Sequence, residues 1–221
     1  SGDTYVVCVG ARDLVPPSYC GPNEGDTSCA RFIFDLEGPL ARFIMPPESS
    51  YTTCNNQRIQ AVLTDNYAVS LTSINLRVNG VNYTLANPEL SYTGDSLLTF
   101  MPSLPYPEGM ITVVLWGVTD HVGHPLAGDS VILHFFTDYS PPVVTFISPP
   151  PGDTIMTDRP TFLIGLSDSG AGVDDSSIVV TVNGTPFGLS SGCVSWDDSV
   201  VSITPFDCGM TFDDGDSITV C

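Results

Sequence analysis

The chain has 221 residues, 42% of them hydrophobic and 14% charged: enough apolar material for packed cores, and not the composition of a disordered segment. Twenty-five acidic residues stand against six arginines and no lysine, a formal net charge of −19, which excludes a nucleic-acid binder and disfavours anionic lipid surfaces. Seven cysteines without a zinc-type Cys-x-x-Cys pair point to disulfides and an extracellular or cell-surface setting, and no apolar run approaches the ~20 residues of a membrane helix.

In chain order, Tyr5 to Val9 and Ala30 to Phe34 read as the first two strands, apolar and short. Leu40 to Pro47 opens the next repeat. Ile59, Ala61 and Leu63 alternate with polar neighbours, the period of a half-buried strand, as do Ile74, Leu76 and Val78. Asn79-Gly80 then supplies the two positive-φ residues of a type I′ hairpin turn. Met110 to Val118 and Val131 to Phe136 are longer apolar strands suited to the centre of a sheet. No stretch has helical periodicity.

The second half repeats this order. Leu40 to Pro47 matches Val143 to Pro150, and Ile59 to Asp65 matches Phe162 to Asp168, both at an offset of 103 residues. Ser73 to Gly80 matches Ser177 to Gly184 with a second Asn-Gly turn, and Leu97 to Pro102 matches Val200 to Pro205. Arg31 to Asp35 matches His134 to Asp138. The phrase Gly2-Asp3-Thr4 through Cys8 returns as Gly215-Asp216-Ser217 through Cys221, with a third copy starting at Gly109. Repetition of a whole domain predicts three pieces. Residues 1–37 are the closing hairpin of one repeat, 38–139 a complete domain, and 140–221 a domain lacking its last strand. The stretch thus reads as a window of a repeating chain, with any targeting segment expected outside it. About seven strands per ~100 residues predict an all-β fold of tandem immunoglobulin-like sandwiches. Gly38-Pro39 and Pro141-Pro142 stiffen the joints.

Ser167 to Ile178, followed by Val182-Asn183-Gly184, and the exit loop Gly117 to Leu126 resemble the tandem immunoglobulin-like and fibronectin-type-III-like modules of bacterial and archaeal surface proteins. That resemblance implies a stalk, spacer, adhesin, envelope layer or filament, sometimes calcium-stiffened. The Trp-plus-disulfide pair of antibody domains is absent, since neither Trp116 nor Trp196 lies between two suitably spaced cysteines. An extracellular structural repeat protein forming a rod, cell-surface layer or filament is expected, self-associating head to tail, either by strand complementation between copies or as part of one continuous array of repeats, the second version being favoured. The alternative is an adhesin or carbohydrate-binding stalk, which needs exposed aromatics in a concave site. Tyr19, Tyr67, Tyr106 and Tyr139 are the candidates, scattered over different loops.

No Gly-x-Ser-x-Gly elbow occurs, and no enzyme is expected. His121-x-x-His124 has no third ligand in view and reads as a polar loop. Calcium is the cofactor considered: Asp168, Asp174 and Asp175 concentrate in one glycine-rich loop, and Asp213, Asp214 and Asp216 in another. Asn82 and Asn183 open glycosylation sequons. Cys193 and Cys208 flank a short hairpin and are expected to pair, a closure worth ~3 kcal/mol. Cys8 is expected to pair with Cys29, in preference to Cys20 with Cys29. Cys20 and Cys54 are then candidates for a bond between domains or chains.

Overall fold

The computed structural model describes residues 3–14 and 24–221, and the chain divides into two units, Ser1–Thr137 and Asp138–Cys221. In the first unit β1 (Asp3–Val9) and β2 (Ser28–Phe34) form an antiparallel hairpin that joins no other sheet among the described residues. Its apolar side chains stay about half exposed, Tyr5 and Phe32 at 53% and 49%.

A complete sandwich follows: β3 (Leu40–Met45), β4 (Tyr51–Thr52), β5 (Ile59–Thr64), β6 (Asn75–Val78), β7 (Val81–Tyr83), β8 (Leu90–Thr93), β9 (Leu97–Phe100), β10 (Gly109–Trp116) and β11 (Ser130–Thr137). One sheet has the order β3-β5-β9-β8 and the other β4-β11-β10-β6-β7. The sequence predicts about seven strands, and two more appear for local reasons. Pro46-Pro47 interrupts the first strand, so β3 and β4 fall in opposite sheets, and the Asn-Gly turn folds β7 back on β6. Ile59, Ala61 and Leu63 of one sheet and Ile111, Val113, Leu115 and Phe135 of the other are buried in the shared core.

Asn79 and Gly80 have φ of 46° and 84°, the left-handed pair of a type I′ turn. Asn79 also clamps β10: its Oδ1 accepts the Thr112 N–H at 2.9 Å, and its own N–H donates to Thr112 O at 2.9 Å. Asn79→Ala removes the side-chain acceptor and a residue tolerant of positive φ, and lowers the first unit's urea-unfolding free energy by about 1–2 kcal/mol.

The second unit repeats the plan in part. β12 (Val143–Ser148), β13 (Phe162–Ser167), β16 (Val194–Trp196) and β17 (Val200–Ile203) form a sheet of order β12-β13-β17-β16, the counterpart of β3-β5-β9-β8. β14 (Val179–Val182) and β15 (Thr185–Gly188) match β6 and β7. Residues 219–221 run beside β14, with Val220 opposite Val182 and Thr181 and Cys221 exchanging backbone bonds of 2.7 and 2.9 Å. Asn183 holds Thr219 as Asn79 holds Thr112, by its Oδ1 at 2.8 Å. No described strand of the second unit takes the place that β11 fills in the first.

The register corrects one detail of the repeat. Thr112 and Thr219 make the same clamp, so Gly109 corresponds to Asp216, not to Gly215. Tyr5 faces Phe32 as Ile111 faces Phe135, which places Asp3 with Gly109. Cys8, Val114 and Cys221 therefore hold one position in three copies of the strand.

Candidate functional site

The loop after β10 turns on Asp120, whose side chain is fully buried. Its Oδ1 accepts three backbone N–H bonds, from Val122 at 2.8 Å, Gly123 at 2.5 Å and His124 at 2.8 Å. Its Oδ2 lies 2.7 Å from His124 Nδ1. Burial works against the charge, but the bonds from the His124 ring and the three N–H groups outweigh it and hold the carboxyl below the usual range.

Asp35, in the segment between β2 and β3, brings its carboxylate to the same place. Asp35, Asp120 and His124 each offer a ligand atom, all within 4.8 Å of one another. Both Asp35 oxygens are shielded from solvent and neither has a hydrogen-bond partner. Sequence reasoning found no third ligand for His124, because a joint residue far upstream carries no spacing signal. The repeat of Asp35 at Asp138 was the one trace of it. His121 does not join the cluster; its backbone N–H donates to Ala68 O at 3.2 Å.

The structure does not gather Asp168, Asp174 and Asp175 into a calcium site. Asp168 Oδ1 accepts the N–H groups of Gly170 and Gly172 at 2.8 and 2.9 Å. Asp174 accepts the Ser176 N–H at 3.0 Å and caps the 3-10 turn Asp175–Ser177. These are turn and cap residues, as short acidic side chains commonly are. Asp216 likewise accepts the Asp213 N–H at 2.9 Å.

Cys8 is bonded to Cys29, directly opposite it across β1 and β2, and Cys193 to Cys208. Cys54 and Cys221 are free and exposed, and Cys20 lies outside the described residues. Asn82 is exposed on β7 and accepts from Arg77 Nε at 3.0 Å. Tyr106, expected in an exposed loop, is instead buried, with its ring edge-on to Phe135 and its hydroxyl donating to Gln57 O. Tyr67 and Tyr139 are exposed, in separate units, and Tyr19 is outside the described residues.

In the second unit a cleft of about 960 Å³ runs between residues 149–158 and residues 212–220. In the first unit β11 occupies the corresponding space, pairing with β4 on one side and β10 on the other, and Phe136 stacks on Tyr51 at 4.9 Å. A smaller apolar opening of about 250 Å³ is lined by Val144, Ile164, Leu166, Ile178, Val201 and Cys221.

The strand orders define the class: tandem immunoglobulin-like β-sandwiches. No protein-family model matches the chain, and no curated protein matches it in sequence. Among solved structures it is similar to a titin tandem, Ig domains A164-A165, at 10% identity over 76% of this chain and 83% of that one, TM-score 0.29. It is also similar to the Ig1-2 module of the Drosophila receptor protein tyrosine phosphatase DLAR, at 15% identity over 74% and 83%, TM-score 0.27. A third is the Bacteroides ovatus SGBP-B in complex with mixed-linkage heptasaccharide, at 11% identity over 92% and 43%, TM-score 0.22. Likenesses this distant add nothing to the fold that the strand orders already give.

Proposed function

We propose that this chain belongs to an extracellular structural array of immunoglobulin-like sandwiches, of the kind bacterial and archaeal surface proteins build. In it, a β2-type strand from an adjoining repeat completes the second unit. In a preparation of this chain alone the donor is a second copy. The observation that carries the reading is the pairing of an open slot with an exposed strand of the right pattern. By repeat position Ala30 and Phe32 stand where Leu133 and Phe135 fill the first unit's core, yet Phe32 is 49% exposed and Phe135 is 0% exposed. An unpaired sheet edge over an opened core is the arrangement that accepts a donated strand. Donor and acceptor are different surfaces, so the contact propagates into a filament or layer. The segment 216–221 already occupies the place of β1, so β2 must leave β1 to enter. In the resulting register Cys29 lies opposite Cys221, as Ile132 lies opposite Val114. A carbohydrate-binding stalk has less support, since Tyr106, one of its candidate aromatics, is buried in the core.

The test is a synthetic peptide of residues 28–37 added to the chain in a glutathione redox buffer. Binding that raises the melting temperature of the second unit, and concentration-dependent growth of the chain by light scattering that the peptide suppresses, are the expected results. A Phe32→Asp peptide fails to bind. No binding of the parent peptide at millimolar concentration, with a strictly monomeric chain, overturns the proposal.

A further inference from the structure

We infer that Asp35, Asp120 and His124 bind a divalent metal ion of the zinc or manganese class, fastening the segment after β2 to the loop after β10. Three observations carry this. The first is Asp35 itself. A carboxylate with both oxygens shielded from solvent and no donor bears a desolvation cost that native structures do not leave uncompensated, and here it faces a second carboxylate. The chain has no lysine, and no arginine donates to Asp35.

The second observation is the sign of the imbalance. The buried side-chain atoms without a hydrogen-bond partner, among the described residues, are Asp35 Oδ1 and Oδ2, Asp65 Oδ2 and Asn66 Oδ1. All are acceptors, from two segments of the same unit, and no buried side-chain donor among the described residues is left over to match them. A surplus of acceptor oxygens is the deficit a cation fills.

The third is the repeat. Asp138 is the counterpart of Asp35, and it is fully served by backbone: Oδ2 accepts the Ala171 N–H at 2.6 Å and Oδ1 the Ser140 N–H at 3.2 Å. That approach depends on Gly170, where an added Cβ would collide with the Asp138 carboxylate. In the first unit the residue at the Gly170 position is Tyr67, which carries the Cβ that Gly170 lacks. Asp35 has none of the N–H donors its counterpart has and lies against Asp120 and His124 instead.

The donor set selects the ion. One imidazole with carboxylate oxygens suits zinc or manganese, whereas calcium takes oxygens alone. Ligand atoms within 4.8 Å of one another need only a modest contraction to reach one ion at ~2.0–2.2 Å from each. Asp120 enters already oriented by its three N–H bonds.

The experiment titrates Zn²⁺, Mn²⁺ and Ca²⁺ separately into the full chain carrying Cys20→Ser, Cys54→Ser and Cys221→Ser, because cysteine thiolates also bind zinc. One equivalent of Zn²⁺ or Mn²⁺ binds, raises the melting temperature of the first unit and slows cleavage after Glu37 by a Glu-specific protease. Asp35→Asn and His124→Gln each weaken binding at least ~10-fold, and Asp138→Asn leaves it unchanged. Asp35→Asn also changes the sign of its effect. In EDTA it melts above the parent, because an unpaired buried charge is gone; in saturating Zn²⁺ it melts below. Absence of Zn²⁺ and Mn²⁺ binding, binding unaffected by Asp35→Asn, or uptake of Ca²⁺ alone overturns the inference. Strand donation at the second unit is untouched by any of these outcomes.

Discussion

Asp120→Ala destabilises the first unit by about 2–4 kcal/mol, read as a lowered urea midpoint with an unchanged slope. One side chain holds the whole loop. Three consecutive N–H groups of the loop after β10 converge on Oδ1, and Oδ2 fixes the His124 ring. Without them the loop loses its internal template, and the N–H groups must find water at a partly buried site. The loop also carries Val118 and Leu126, 0% and 2% exposed, into the core, so its disorder reaches the sandwich. Asp120→Asn keeps the Oδ1 acceptor and costs less. The pH dependence separates the two roles of the carboxylate. Its folded value is depressed, so the unfolded chain protonates first as pH falls. The contribution is complete above about pH 4 and drains away as pH drops through the folded value. Unfolding followed from pH 6 to pH 2.5 shows this loss in the parent, and a smaller slope in Asp120→Asn. Equal slopes in the two proteins remove the assignment.

The fold was more legible than the site because the two depend on different signals. Ile59-Ala61-Leu63 and the Asn79-Gly80 turn are local patterns, and period-2 burial with a positive-φ pair admits little besides a strand and a tight hairpin. Copying of these patterns at a near-constant offset turned one domain into two. Local patterns also produced the errors. Asp168, Asp174 and Asp175 are close in sequence, but each short carboxylate is taken by its own loop's N–H groups or stays apart from the others. Tyr106 sits among proline and polar residues and reads as loop, yet its ring fills the core next to Phe135. The Asp35–Asp120–His124 cluster is assembled by the sandwich from a joint and a distant loop, and no one-dimensional spacing encodes that. It becomes visible in sequence only by asking what differs between repeats. Tyr67 in place of Gly170 is such a difference, at the position whose missing Cβ lets the loop backbone reach Asp138.

Phe135→Ala lowers the stability of the first unit by about 3–5 kcal/mol, the cost of removing a fully buried ring from a core that cannot close around the gap. Phe135 packs edge-on to Tyr106 at 5.6 Å, and both sheets contribute to the surrounding cluster. Phe32→Ala, at the same repeat position, costs the dispersed chain little, because its ring is about half exposed on a hairpin without a core. The two substitutions remove the same atoms from the same place in the domain plan, so their difference measures whether β2 has found a core. In dispersed chain the gap between them is several kcal/mol. In material assembled in redox buffer, Phe32 enters the slot of a second unit beside the segment 216–221, and the gap narrows as Phe32→Ala comes to cost what Phe135→Ala costs. The readout is the chain concentration at half-assembly, which Phe32→Ala raises by two orders of magnitude or more for ~3 kcal/mol lost per contact. Non-reducing peptide maps of the same material then contain Cys29 joined to Cys221, and Cys8 as a free thiol. If assembly proceeds at the parent concentration with Phe32→Ala, β2 is not the strand that fills the slot.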